Sequence, residues 1–433
     1  MMPCLRCGTR PLLIAVIVAA LPASAVRAQG GDSLRLGDLQ RRAEQVDPRA
    51  VQASLLSQQA ALRRTNIAKE RLPSVTGTAT GQYLSDVPHL ALPAAAAPAG
   101  PLNHQYDAYL TIRQPLLDPS RAPRAAVERA RTEESAATLR SALFQQRMAV
   151  NDAFFTVLQQ QAQQNALALA IADLTERRRV AELRVNNGAG LASEVWQFDA
   201  ELLKRQQAAD EANAAASAAR DVLASLTGRA IAPTDVLVAP RTDNSPVPNV
   251  GRDRPEFAQL DRTRDLLARR SDALASQRLP RLSLVGRAGY GRPGINALGR
   301  DFDSYYVAGV QVDWSPWNWG ATHREQQELA LSADIVRSND AQFAAALERA
   351  AASERTRLQA LQRTLAADDS IVALRGRVLE ETRRRFAEAD ISAADYIARL
   401  TDWQMAQLDR ALRQLRVAEA RARYFTTLGQ EPR

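Results

Sequence analysis

Four runs of the chain alternate apolar and polar side chains with period two. In Ser74–Tyr83, Val75, Gly77, Ala79, Gly81 and Tyr83 share one face, and Thr76, Thr78, Thr80 and Gln82 share the other. In Asp107–Arg113, Ala108, Leu110 and Ile112 oppose Asp107, Tyr109, Thr111 and Arg113. In Arg281–Tyr290, Leu282, Leu284, Gly286, Ala288 and Tyr290 fall together; in Tyr305–Trp314, Tyr306, Ala308, Val310, Val312 and Trp314 oppose Gln311 and Asp313. Strict alternation predicts strands, and runs of about ten residues suit tilted strands that cross a membrane. Aromatic side chains gather near the run ends: Tyr83, Tyr106, Tyr290 and Tyr305, with Trp314, Trp317 and Trp319 after the last run. Such rings favour the lipid–water boundary. A half-buried sheet in a soluble domain would show the same alternation, so the flanking segments must decide.

Those segments follow the helical period. Apolar residues at three- and four-residue spacing (Leu139, Leu143, Val150, Phe154, Val157) and abundant Ala predict a helix over about Ser120–Asn187. At 1.5 Å per residue it would run to about 100 Å, far beyond the roughly 11 residues of an ordinary helix. A return helix is expected over Ser193–Leu226. No proline interrupts 124–232 or 317–431. Each strand pair is preceded by a further helix, about Leu36–Arg71 and Pro255–Arg278, ending before a proline that restricts its predecessor. The two shorter helices of the middle, Ser193–Leu226 and Pro255–Arg278, placed end to end nearly match one long helix. The intervening Gly228–Val250, rich in Pro, Asp, Thr and Val, reads as a belt partway along the rod.

The chain is duplicated. Arg71-Leu72-Pro73 recurs as Arg278-Leu279-Pro280, and the same offset of 207 carries Pro48 onto Pro255 and Tyr83 onto Tyr290. Beyond Pro115 the offset becomes 201 and stays there: Pro115 onto Pro316, Arg184 onto Arg385, Arg220 onto Arg421, Gly228 onto Gly429. The change of six falls between Tyr83 and Pro115, in the Pro/Ala-rich VPHLALPAAAAPAGPLNH, where a loop tolerates an indel. The expected units are a segment 1–28, a first repeat 29–228, a linker 229–252 and a second repeat 253–433.

The N-terminus has the layout of a secretory signal: Arg6 and Arg10, then Leu12 to Leu21, then Val26-Arg27-Ala28 as a cleavage site. Its apolar run is too short to span a bilayer. The mature start is expected near Gln29, with Ala25 as the other candidate. Both cysteines, Cys4 and Cys7, lie within it, which removes disulfides and Cys-based metal sites from the mature chain. The formal charge of +8 falls to +5 without Arg6, Arg10 and Arg27. Only Lys69 and Lys204 among the 56 basic residues are lysine. The arginines interleave with Glu, Asp and Gln along helices, which reads as solvated faces and not as a nucleic-acid surface. No later segment reaches the ~18 apolar residues of a spanning helix, so a span must be made from strands. Export, the cysteine-free chain and the adjoining long helices favour the membrane reading. Four strands cannot close a barrel, and open edges in lipid leave backbone groups unpaired. Two copies would give eight strands and a filled interior; three would give twelve and a water-filled lumen.

These residues resemble a family. Leu39–Ala53 with Asp47-Pro48, RLPSVTGTATGQY (71–83), RQPLLD (113–118) and VDWSPWNWG (312–320) are similar to segments of the TolC-like outer-membrane efflux proteins. RVNNGAGLASEV (184–195) and RFAEADISAADY (385–396) resemble that family's helical-tip motif. The resemblance spans nearly all of the mature chain; each motif is degenerate, and their order, spacing and duplication carry it. It implies a mixed α and β fold: long antiparallel helical hairpins forming a periplasmic α-barrel, continuous with an outer-membrane β-barrel of four strands per chain that closes only in a trimer. It further implies an outer-membrane exit duct with a large periplasmic portion in a Gram-negative-type cell. The expected partners are two more copies, outer-membrane lipid, a periplasmic adaptor and an inner-membrane transporter. Both a tripartite pump for drugs or metal ions and a type I protein secretion system remain open. A secreted coiled-coil scaffold is the reading outside the family; an adaptor would carry a lipoyl-like β-domain, and none is visible.

The family's gate acid maps onto Glu194 and Asp395, each expected in the first turn of a return helix, where an acid complements the dipole. Arg184 and Arg385 end the outgoing helices. The second gate acid of some members falls at Ala398, implying a single acidic tier. The halves differ where Val185 and Gly188 face Phe386 and Ala389. The expected periplasmic tip is thus Asp395, Glu194, Arg385, Arg184, Phe386 and Gly188, and the interface rings are Tyr83, Tyr290, Tyr305, Trp314, Trp317 and Trp319. Nothing suggests an enzyme, a cofactor or a metal site: His89, His104 and His323 are scattered, and Gly286, Gly289, Gly291 and Gly294 lie on a strand and its turn with no helix to form a phosphate cradle.

Overall fold

A computed structural model describes residues 33–87, 102–240, 248–295, 300–388 and 390–432. The expected signal segment, His89 and Ala389 lie outside these residues. The chain begins with β1 (Ser33–Arg35) and α1 (Leu36–Val46). Asp47, placed before Pro48, is extended at ψ 129° and ends the helix. A 3-10 turn (Pro48–Val51) then leads into α2 (Gln52–Lys69). The single helix expected over Leu36–Arg71 is therefore two.

The four expected strands form one antiparallel sheet, in the order β2 (Ser74–Tyr83), β3 (His104–Leu117), β5 (Arg281–Arg292) and β6 (Asp303–Asp313). β3 is longer than Asp107–Arg113 because β5 continues to pair with it past Pro115, across an irregularity between Pro115 and Leu117. Proline has no N–H for the ladder, which is why the register shifts there. Two strands were not expected from the sequence: β1 pairs in parallel with β4 (Val236–Val238), so the linker folds back onto the start of the first half.

The helices follow α3 (Arg121–Phe144), α4 (Gln146–Asn186), α5 (Ala192–Thr227), α6 (Pro255–Ser276), α7 (Ala321–Ala387) and α8 (Ala393–Leu428). The helix expected over Ser120–Asn187 is interrupted at Gln145, beside which the Gln146 side chain donates to Asp47 Oδ2 at 2.9 Å. Its counterpart α7 runs unbroken for 67 residues, about 100 Å. Above the break the neighbours are α2 with α3, α3 with α6, and α6 with α7; below it α5 lies on α4, α4 on α8, and α8 on α7. Each level is thus a wall four helices wide, shared by α7.

The walls join at an apolar core. Leu36, Leu39, Phe154, Phe155, Val157, Leu223, Ile231 and Leu237 are buried together where α1, α4, α5 and the linker meet. Inside it the fully buried Gln40 donates to Asn151 Oδ1 at 2.6 Å, and Asn151 Nδ2 to Thr426 Oγ1 at 2.9 Å. Gln40 Nε2 also reaches Thr426 Oγ1 at 3.4 Å, so the three side chains bond one another, while Gln40 Oε1 has no partner among the described residues. No helix among the described residues is long and apolar enough to cross a membrane.

Candidate functional site

The far end of the lower wall contains two helix–turn–helix tips. α4 ends in a Schellman turn: Gly188 N–H donates to Val185 O and Ala189 N–H to Arg184 O, each at 2.9 Å, with Gly188 at φ +71°. That left-handed position is where glycine has no Cβ penalty. α7 repeats the outer bond, Asp390 N–H donating to Arg385 O at 2.9 Å. α8 opens with Ser392 as its N-cap: Ser392 Oγ accepts from Asp395 N–H at 3.1 Å and donates to Asp395 Oδ2 at 2.7 Å. Glu194 occupies the first turn of α5 as Asp395 does that of α8. Glu194 Oε2 is buried without a hydrogen-bond partner among the described residues.

The expected charges do not form one cluster. Arg385 Nε donates to Asp390 Oδ2 at 2.7 Å. This bond, with more distant help from Glu381 and Asp395, raises the Arg385 pKa further above its ordinary value. Arg184 reaches the other hairpin: its Nη1 donates to Phe386 O at 3.1 Å and its guanidinium lies 5.4 Å from the Phe386 ring centroid. Phe386 is the hub of the tip. It stacks on Tyr396 at 5.1 Å and meets Phe198 edge-on at 6.2 Å. Leu174, Leu202, Leu379 and Leu400 complete this core. Phe198 and Tyr396 were not singled out from the sequence. Their signal was the helical spacing that puts Tyr396 and Leu400 on one stripe of α8, and Phe198 and Leu202 on one stripe of α5.

At the other end, the register of the sheet aligns the apolar faces of all four strands. Val75 lies opposite Ile112, Ile112 opposite Gly286, and Gly286 opposite Ala308; the next row is Gly77, Leu110, Ala288 and Tyr306. Val75, Leu110, Tyr306, Val310 and Val312 are exposed in the single chain. Rings mark both ends. Phe302 stacks between Tyr106 and Tyr290 at 6.3 and 5.5 Å, and Tyr83 lies 5.0 Å from His104. Trp317 meets Trp319 edge-on at 5.8 Å where the helices begin. Tyr305 stands apart from the other expected interface rings. It lies on the opposite, polar face, where its hydroxyl bonds Asp107 at 2.7 and 2.8 Å. The ring crosses β5 over Gly289, where an added Cβ would lie 2.7 Å from both Tyr109 Cβ and Tyr305 Cζ. Among the described residues no group of three or more His, Cys, Asp or Glu is arranged to hold a metal ion.

No family model matches the sequence, and no curated protein is significantly similar to it. Solved structures do match in three dimensions. The outer-membrane channel OprN superposes with a TM-score of 0.65 at 17% identity, covering 91% of this chain and 89% of that one. The outer membrane protein VceC from Vibrio cholerae gives 0.63 at 15%, covering 92% and 97%. The open state of the Neisseria gonorrhoeae MtrE outer membrane channel gives 0.65 at 16%, covering 92% and 89%. Over about nine-tenths of its length, the chain has the TolC-like outer-membrane factor fold.

Proposed function

We propose that the protein is the outer-membrane exit duct of a tripartite efflux pump, exporting small molecules such as drugs or metal ions. The observation that carries this reading is a four-stranded sheet with one apolar face, whose outer strands, β2 and β6, each lack a second neighbour among the described residues. Such edges are stable in lipid only when paired with another copy. The helical walls support the same assembly: exposed Leu55 and Leu62 on α2 mark one edge of the upper wall, and exposed Leu331 and Ile335 on α7 the other. Three copies give a twelve-stranded barrel with a polar lumen lined by Thr76, Thr78, Tyr109 and Arg287, continued by about 100 Å of helix into the periplasm. The two repeats, 29–228 and 253–433, then supply equivalent halves of each third of the ring, with 229–252 as the belt. The duct itself performs no catalysis.

In this reading the tips form the periplasmic constriction, with Asp395, joined by Glu194, lining it and Arg385 and Arg184 helping to hold it closed. They also face the adaptor and, through it, the inner-membrane transporter. The test is conductance of the reconstituted channel. Asp395→Ala and Arg385→Ala together are expected to raise single-channel conductance; unchanged conductance would sink the gate assignment. Deletion of the gene is expected to sensitise the cell to pump substrates, and complementation to restore resistance. A protein recovered as a soluble monomer without detergent would exclude the duct.

A further inference from the structure

The Arg-Leu-Pro repeat is not used by the duct or by its tip. Arg71-Leu72-Pro73 leads into β2 and Arg278-Leu279-Pro280 into β5, so both arginines lie at the helix end of the sheet. Arg71 O accepts from Gln114 Nε2 at 2.6 Å, and Arg278 O from Trp314 Nε1 at 3.1 Å. These bonds pin both backbones at the base of the strands and leave the guanidinium groups exposed. Leu72 and Leu279 beside them are exposed as well.

The same level carries the tryptophans. Trp314, Trp317 and Trp319 are 60%, 73% and 81% exposed. Trp319 has φ +56°, a left-handed backbone that a bulky side chain rarely adopts. Arg324 Nη1 holds it there by donating to Trp319 O at 2.9 Å. Strain of this kind persists where the surroundings impose it and is characteristic of functional positions.

Three of the acids at this end are engaged elsewhere. Asp118 accepts from Ser120 and pairs with Arg124, Glu70 pairs with Arg124, and Asp313 with Arg113. Glu325 lines the groove between α3, α6 and α7. Arg71, Arg278 and Arg324 make no ion pair with any described carboxylate. Three guanidinium groups without an acidic partner among the described residues therefore stand in a band of exposed indole and leucine. An arginine donates bidentately to phosphate, and indole settles at headgroup level.

We propose that this collar binds the phosphate headgroups of anionic phospholipid in the periplasmic leaflet. The inference rests on the membrane-spanning reading of the sheet. In the trimer β2 of one copy lies beside β6 of the next, which brings Arg71 next to the neighbouring tryptophans and makes the band continuous. A basic residue near a membrane surface strengthens anionic-lipid binding roughly fivefold.

The test uses the full-length channel in vesicles of phosphatidylcholine, with either brominated phosphatidylcholine or brominated phosphatidylglycerol as quencher of tryptophan fluorescence. Phosphatidylglycerol is expected to quench preferentially. The preference should fall by roughly fivefold per arginine in Arg71→Gln, Arg278→Gln and Arg324→Gln. The double variant R71Q/R278Q leaves the Trp319–Arg324 contact intact and separates charge from collar geometry. Equal quenching by the two lipids, or a preference that survives all three substitutions, would overturn the headgroup site while leaving the barrel standing. No quenching by either lipid would overturn the barrel and the site together.

Discussion

Removing the Phe386 ring should loosen the tip without unfolding the rod. The side chain is 5% exposed and touches three partners at once: Tyr396 by stacking, Phe198 by its edge and Arg184 by its face. Burial losses for Phe→Ala run to about 3–5 kcal/mol where the surroundings cannot collapse. The lost cation–π contact adds about 0.5–1 kcal/mol at a partly exposed site. The Arg184 bond to the 386 carbonyl survives the substitution, because it uses the backbone. The tip core is separate from the equatorial core, and the two are joined only along the helices. The cost should therefore appear as local opening. At about 1.4 kcal/mol per decade, hydrogen exchange at the end of α7 and the start of α8 should accelerate by roughly two and a half to four decades. Peptides covering Val150–Val157 should be unchanged. Exchange at the tip equal to wild type, or an equal rise at the equator, would refute Phe386 as a local hub.

Other outcomes follow from the same contacts. Gly289→Ala places a Cβ against Tyr109 and Tyr305 and should cost about 1–3 kcal/mol, read as a lower dissociation temperature of the assembled barrel; Gly309→Ala, with open space around it, should be neutral. Asp47 is held down to about 2 chiefly by its hydrogen bond from Arg49, so its contribution is present above about pH 4 and lost as pH falls through 2. The melting temperatures of wild type and Asp47→Asn should differ at pH 6 and converge near pH 2. Asn151→Ala removes the acceptor of Gln40 Nε2 and a donor to Thr426, leaving only their mutual 3.4 Å bond, and should cost roughly 1–3 kcal/mol by chemical denaturation.

What the sequence made legible was whatever depends on period or on repetition. The four strands were readable because their alternation is local, and the offset of 201 placed Glu194 and Asp395 at equivalent helix starts. Contacts between distant segments were not readable. The β1–β4 ladder joins three-residue runs about two hundred positions apart, too short to alternate visibly. The break at Gln145 has no proline or glycine to announce it. The bond from Arg385 to Asp390, five residues on across the end of α7, had no periodic signal to announce it. Tyr305 has an interface residue's composition and the wrong parity, since Tyr306 next to it holds the apolar face.

The central claim is that three copies close one barrel through their free strand edges, and cysteine pairing tests it most directly. The mature chain expected here has no cysteine of its own, so pairs can be placed at Thr76, Thr78 or Thr80 on β2 and at Tyr305, Val307 or Gly309 on β6. Oxidation in native membranes should give a ladder that ends at the covalent trimer for at least one register. Monomer alone for every pair, or a ladder that continues beyond three, would contradict the closed ring.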